Sequence, residues 1–235
     1  MNQQLSNQPL SLTQQSEAER SFLTRTFLWM ALGVLVTAVV AEVISLSPSL
    51  FELIYGNEAI LFGLLFAQLI VVLVLSVAIN RMSPLIATLI FFGYAALMGL
   101  TFASILRVFT TDSIASTFVV AGGMFGILTI IGMSTNYDLT KIGVLAFVGL
   151  IGIILMSLLN FFLQSEALYW LISIAGVIIF VALIARDAQY LKRMATQIDV
   201  NSDQGARASI FGALRLYLDF INLFLFLLRF MGRRN

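Results

Sequence analysis

An aspartate stands inside a run that otherwise belongs in hydrocarbon: Leu216-Tyr217-Leu218-Asp219-Phe220-Ile221-Asn222-Leu223-Phe224. An ionised carboxylate near the centre of a bilayer costs about 2.5–3.5 kcal/mol on insertion scales, so something must compensate Asp219. At about 100° per residue, Arg215, Asp219, Asn222 and Arg229 fall in one stripe of a helix, interrupted only by Phe226, while the other faces are mostly Leu and Phe. Such a helix turns a polar seam inward. The economical arrangement is a central helix surrounded by the others, its seam lining a cavity or pairing with their polar groups. An ion pair between Arg215 and Asp219 that only holds the bundle together is the alternative explanation of the same stripe.

The second candidate is Asp187, in Ala185-Arg186-Asp187-Ala188-Gln189-Tyr190 at the end of the preceding apolar segment. By itself it reads as a solvated helix-end charge beside Arg186. Its interest comes from Asp219: two acids on consecutive antiparallel helices, in the same half of the membrane, can share a proton and titrate as a unit. That would make a pH switch in a chain without histidine. The absence of both histidine and cysteine also removes disulfides, thiolate and imidazole metal sites and the usual catalytic triads, so acid–base chemistry rests on carboxylates. Glu42, Glu52 and Glu58 fall near the opposite face, where they could enrich cations at an outer vestibule; Glu58 equally suits a helix N-terminus.

The elements that must position these residues are membrane helices. Of the 235 residues 60% are hydrophobic and 11% charged, against roughly a quarter charged in soluble domains, which excludes a soluble core. The net charge of +1 gives no general attraction to nucleic acid, and the partners this composition implies are membrane lipids. Residues 1–23 form a polar, Gln- and Ser-rich tail without the basic start and cleavage site of a signal peptide, and residues 24–235 form the membrane domain. Spanning takes about 20 apolar residues as helix. Seven segments qualify, near Thr24–Leu46, Glu58–Ile79, Ser83–Leu106, Ser113–Met133, Ile142–Phe162, Ala167–Ile184 and Ala208–Phe230. The expected fold is all-α, with six helices around a central seventh.

Alternate loops collect Arg20, Arg25, Arg81, Lys141, Arg186, Lys192, Arg193 and Arg207 on one side, while the other has Arg107 among Glu52, Glu58, Asp112 and Glu166. The positive-inside rule then places the N-terminus in the cytoplasm. The final segment strains the rule, because a full crossing carries Arg233 and Arg234 outside; it either spans with a basic outer end or is re-entrant. Gly122 and Gly126 at GxxxG spacing, with Gly143, Gly149 and Gly152, permit close helix packing.

The stretch Ala213-Leu214-Arg215-Leu216-Tyr217-Leu218-Asp219-Phe220-Ile221-Asn222-Leu223-Phe224, followed by Leu227-Leu228-Arg229, resembles the closing helix of the Bax inhibitor-1 (transmembrane Bax inhibitor motif) family. The resemblance extends to Asp187-Ala188-Gln189-Tyr190, to Thr135-Asn136-Tyr137-Asp138-Leu139 and to the seven-segment layout. It implies a pH-sensitive Ca²⁺ leak in the inner membrane, controlled by a carboxylate pair that falls on Asp187 and Asp219. It also implies an arginine at the end of the second segment, here Arg81, that latches the first carboxylate. Cell-death regulation attaches to eukaryotic members and is not carried over. Two carboxylates supply at most four of the six to eight oxygens Ca²⁺ requires, so binding at the pair would be weak, which suits a leak better than a store.

Two other classes compete. Paired membrane aspartates also serve intramembrane proteases, but the GxGD motif expected there is absent around Asp219, so an enzyme is not expected. An interaction protein that modulates a membrane protease or another membrane complex, with the tail as its handle, is the runner-up. Neither requires a resident cofactor; for the leak, Ca²⁺ and protons are the species that pass or bind.

Overall fold

Lipid offers backbone groups no hydrogen-bond partners, so each crossing segment closes its own ladder as helix. The computed structural model describes residues 12–235 and shows α1 (Leu12–Leu46), α2 (Pro48–Tyr55), α3 (Glu58–Ala78), α4 (Pro84–Val108), α5 (Thr111–Ser134), α6 (Thr140–Leu163), α7 (Glu166–Ala195) and α8 (Asp203–Met231). Among the described residues the one non-helical pairing is an isolated antiparallel bridge between Phe109 and Arg234. All helices except α2 are long and apolar enough to cross a membrane, which makes seven.

Side-chain caps set many of the helix starts. Ser47, Asn57, Ser83, Thr110, Ser165 and Ser202 each accept a backbone N–H of the first turn they precede, and Pro48 and Pro84 occupy first-turn positions where a missing N–H costs nothing. Ser47-Pro48 thus starts α2, a short helix that hydropathy alone did not predict, with Ile54 as its buried anchor. Two expected boundaries shift for a related reason. α1 is already helical at Leu12, ahead of the expected Thr24, so residues 12–23 of the expected tail are helix, and Phe22 and Thr26 are buried in it. α7 continues through Arg186 to Ala195 because hydropathy marks a membrane crossing and not the end of a helix.

The expected central helix is α8. It buries 72% of its apolar stretch inside the protein, while the other spans bury between 11% and 33%. Directly around it pack α1, α4, α5 and α7; α3 lies against α4 and α6 against α7 as an outer layer, so the surround is four inner helices and two outer ones. Phenylalanines lock α8 in place. Phe220 meets Phe118 and Phe125 edge-on, Phe224 stacks on Phe102, and Phe226 stacks on Phe180. Outward positions such as Leu69, Leu73, Leu145, Phe161 and Phe162 are exposed, as a lipid-facing surface requires.

α8 is a single unbroken helix, long and apolar enough to cross, and it does not turn back on itself. Its start lies beside Met82, which accepts a hydrogen bond from Arg207, and its end is clasped at the α4–α5 corner. There Thr110 donates to the Arg233 carbonyl (3.0 Å), Asn235 N to the Val108 carbonyl (3.0 Å) and Arg233 N to Ser113 Oγ (2.9 Å). Gly122, Gly126 and Gly152, expected to permit close packing, face open space; the tightest approach on α5 is at Gly132, whose Cα lies against the Ala185 backbone of α7.

Candidate functional site

The two aspartates meet across the α7–α8 interface. Asp187 is 4% exposed and Asp219 6%. Asp187 holds both of its oxygens in ion pairs: Arg215 donates from Nε to Oδ2 at 2.9 Å and from Nη2 to Oδ1 at 3.0 Å, and Arg186 Nη1 lies 2.7 Å from Oδ1. This fork-on-fork geometry is the strong form of an arginine–carboxylate contact. The Arg215 guanidinium also sits 4.7 Å from the centroid of the Tyr190 ring. Asp219 faces the same group, with Asp187, Arg215 and Arg186 as the charges acting on it, yet its Oδ2 is buried with no hydrogen-bond partner.

Arg215 therefore partners Asp187 on the neighbouring helix, not Asp219 one turn along its own. The Arg215–Asp219 pair set out from sequence does not form. Arg81, matched by the resemblance to a latch, lies exposed on a 3₁₀ turn (Ile79–Arg81) and has no ion pair among the described residues; the arginines paired with Asp187 are Arg215 and Arg186. Both Asp187 oxygens are engaged, so Asp219 is the acid of the pair with an unpartnered oxygen, and one carboxylate is far short of a Ca²⁺ shell. Nor do the described residues gather three acidic side chains at any point. Glu42 edges an apolar cleft of Thr37, Phe118, Phe220 and Phe224, Glu52 is exposed on α2, and Glu58 is exposed in the first turn of α3 behind the Asn57 cap.

The expected polar seam of α8 divides. Asn222 turns back on its own helix, donating to the Leu218 carbonyl at 2.8 Å. Arg229 is exposed at the far end, above the Phe226 ring, where it lines a separate cleft with Tyr169, Asn160 and Arg234. Tyr217, unremarked in the sequence, is fully buried on another face, its hydroxyl 2.6 Å from Thr37 Oγ1 of α1, which in turn donates to the Ala95 carbonyl of α4 at 2.9 Å. One such chain ties three helices at mid-bundle.

The motif around Asp187 also orders the α5–α6 loop. Gln189 donates to the Tyr137 carbonyl (2.8 Å) and accepts from Leu139 N (3.0 Å) and Arg193 Nη2 (2.9 Å), while Lys192 donates to the Met133 carbonyl (2.8 Å). Asp138 in that loop accepts from Thr140 Oγ1 and N and from Arg193, and these contacts, the Thr140 bonds foremost, hold its carboxyl low, at about 2. Thus Asp187-Ala188-Gln189 and Thr135–Leu139, far apart in sequence, are two sides of one joint. Sequence reasoning missed Arg186 as a partner because neighbours along a helix do not face each other; the length of the arginine lets it curl back.

Seven apolar helices, with a charged cluster built across the interface of the central one, define a polytopic membrane protein. The family model described as Inhibitor of apoptosis-promoting Bax1 matches residues 19–235, and the protein belongs to that family, the Bax inhibitor-1 family. The chain is 48% identical over 226 residues to "Inner membrane protein YbhL" of Escherichia coli (96% of this chain, 97% of that one). It is 38% identical over 229 residues to a protein of Borreliella burgdorferi (96% and 99%) and 32% identical over 231 residues to a membrane protein of Streptococcus pyogenes (97% and 100%).

Proposed function

We propose that the protein is a pH-sensitive cation leak of the inner membrane, passing Ca²⁺, gated by Asp187 and Asp219. The inner-membrane location follows the printed name of the E. coli relative. The supporting observation is the buried carboxylate pair itself: one acid fully engaged by two arginines, the other beside it with an unpartnered oxygen inside the central helix. In this mechanism the described arrangement is the closed one. Arg215, held on α8, staples α7 through Asp187, and no acidic oxygen of Asp187 is open to a passing cation.

A proton delivered to the pair weakens that staple. Protonated Asp187 no longer holds a guanidinium as an ion pair, so acidification releases α8 from α7 and frees oxygens along the seam. Because the cluster lies between two packed helices, a local change in charge biases a whole interface.

The test is Ca²⁺ flux into proteoliposomes over a range of pH, comparing wild type with Asp187→Asn and Asp219→Asn, each checked for folding. Flux that rises on acidification, with its pH dependence lost in either variant, supports the gate. Folded, inserted wild type without flux refutes it and moves the function to the modulator of a membrane protease or other membrane protein.

A further inference from the structure

On the outer side of the same cluster, α6, α7 and α8 enclose a cleft of about 380 Å³ that the leak mechanism does not use. Arg186, Arg193 and Arg215 line it, together with Thr140 and Gly143 from the first turn of α6. That is an unusual gathering of positive charge. Three guanidiniums meet the positive end of a helix whose N-cap, Leu139, makes no side-chain hydrogen bond. Arg186 is pressed across Gly143 so closely that a Cβ there would lie 2.6 Å from its Nε, and that Nε is buried with no partner. The facing carboxylates are Asp187, enclosed beneath Arg186 and Arg215, and Asp138, exposed and paired with Arg193. Neither reaches Arg186 Nε.

The remaining walls are Val144, Phe147, Gln189 and Tyr190. Val144 and Phe147 are 62% and 55% exposed on the lipid-facing side of α6, so the cleft continues directly onto hydrocarbon. A free anion has no use for such a wall. A molecule with a phosphate at one end and an acyl chain at the other fits both halves.

We propose that this cleft is a binding site for an anionic phospholipid, with Arg186, Arg193 and Arg215 on the headgroup phosphate and Val144 and Phe147 along the first part of an acyl chain. Arg215 is shared between the site and Asp187, so a phosphate that recruits it competes with the α7–α8 staple. Occupancy of the cleft by lipid then shifts the hold of α8 on α7 whether or not the protein passes Ca²⁺.

The test is independent of flux. Full-length protein in detergent is titrated with phosphatidylglycerol, with phosphatidylcholine and with inorganic phosphate, and bound lipid is counted by native mass spectrometry. Wild type is expected to retain phosphatidylglycerol, to ignore phosphatidylcholine, and to lose no lipid to millimolar phosphate. Arg186→Gln with Arg193→Gln should weaken retention about thirtyfold, and Arg193→Gln alone, at an exposed position that leaves both Asp187 contacts in place, about fivefold. The single variant decides the matter if the double does not fold. Equal retention of phosphatidylcholine, displacement by phosphate, or the same loss on Arg234→Gln at the opposite end would overturn the proposal.

Discussion

Replacing Arg215 with methionine isolates the contact on which the α7–α8 interface depends. The substitution removes two hydrogen bonds to Asp187, at 2.9 and 3.0 Å, and the cation over Tyr190, while keeping most of the buried methylene stem. Removing one member of a buried pair costs about 3–5 kcal/mol, because the other charge is left stranded. Asp187 is not wholly stranded: Arg186 stays 2.7 Å away, and the Arg215 side chain is 23% exposed, so water reaches its edge. The expected loss is therefore about 2–3 kcal/mol, nearer the worth of one charged hydrogen bond than of an isolated pair. It reads as a melting temperature lower by roughly 4–12 °C in detergent. Adding Asp187→Asn removes the charge that was stranded, so the double variant should melt above the single Arg215→Met, with a coupling of about 2 kcal/mol. Single-variant stability within about a degree of wild type, or simple additivity of the two losses, would show that the pair does not hold α8 to α7.

Three further outcomes follow from other contacts. Gly132→Ala should lose about 1–3 kcal/mol, because its methyl would run into the Ala185 backbone and only a shift of α5 from α7 relieves it; thermal melting reads the loss, and an unchanged melt would mean the helices are not so closely set. Tyr217→Phe should cost about 1 kcal/mol, since Thr37 keeps the Ala95 carbonyl and only the 2.6 Å contact is lost. The Asp138 carboxyl is depressed from 3.8 to about 2, so what it contributes to stability is complete above its ordinary value and lost as pH falls through about 2. Asp138→Asn should accordingly leave the shape of any flux profile between about pH 5 and pH 8 unaltered, and a profile that flattens in this variant would take the pH sensor away from Asp187 and Asp219.

The crossing helices were legible because hydropathy over about 20 residues is the physical condition for crossing. The interior position of α8 was legible for another reason: a helix carrying Arg215, Asp219 and Asn222 cannot turn them to lipid, so it must be enclosed. Who partners whom was not legible. Periodicity places Arg215 and Asp219 on one face, but a 3.0 Å contact to Asp187 depends on how far α7 extends past its apolar stretch, and that extension is polar sequence with no hydropathy signal. The division of the seam has the same origin. Asn222 can satisfy itself on the Leu218 carbonyl, and Arg229 lies far enough along α8 to reach the end of the bundle, so equal angular position did not mean a common task. Tyr217 and Thr37 carried only the general signal that a polar group within a membrane helix seeks a partner on another one.

In water, burial of apolar surface would explain why α8 sits at the centre; in lipid it does not, since a leucine facing an acyl chain is as well placed as one facing another helix. What holds α8 inside must then be close packing together with its polar groups, and those groups are spaced along it. Arg207 reaches the Met82 carbonyl near its start, Arg215 the Asp187 carboxylate, Tyr217 the Thr37 hydroxyl, and the segment after Met231 is hydrogen-bonded to the α4–α5 corner. Of these anchors, the Arg215–Asp187 pair alone joins two charged side chains; the others are hydrogen bonds to neutral groups. Its loss would therefore loosen α8 from α7 while the remaining anchors keep the helix within the bundle.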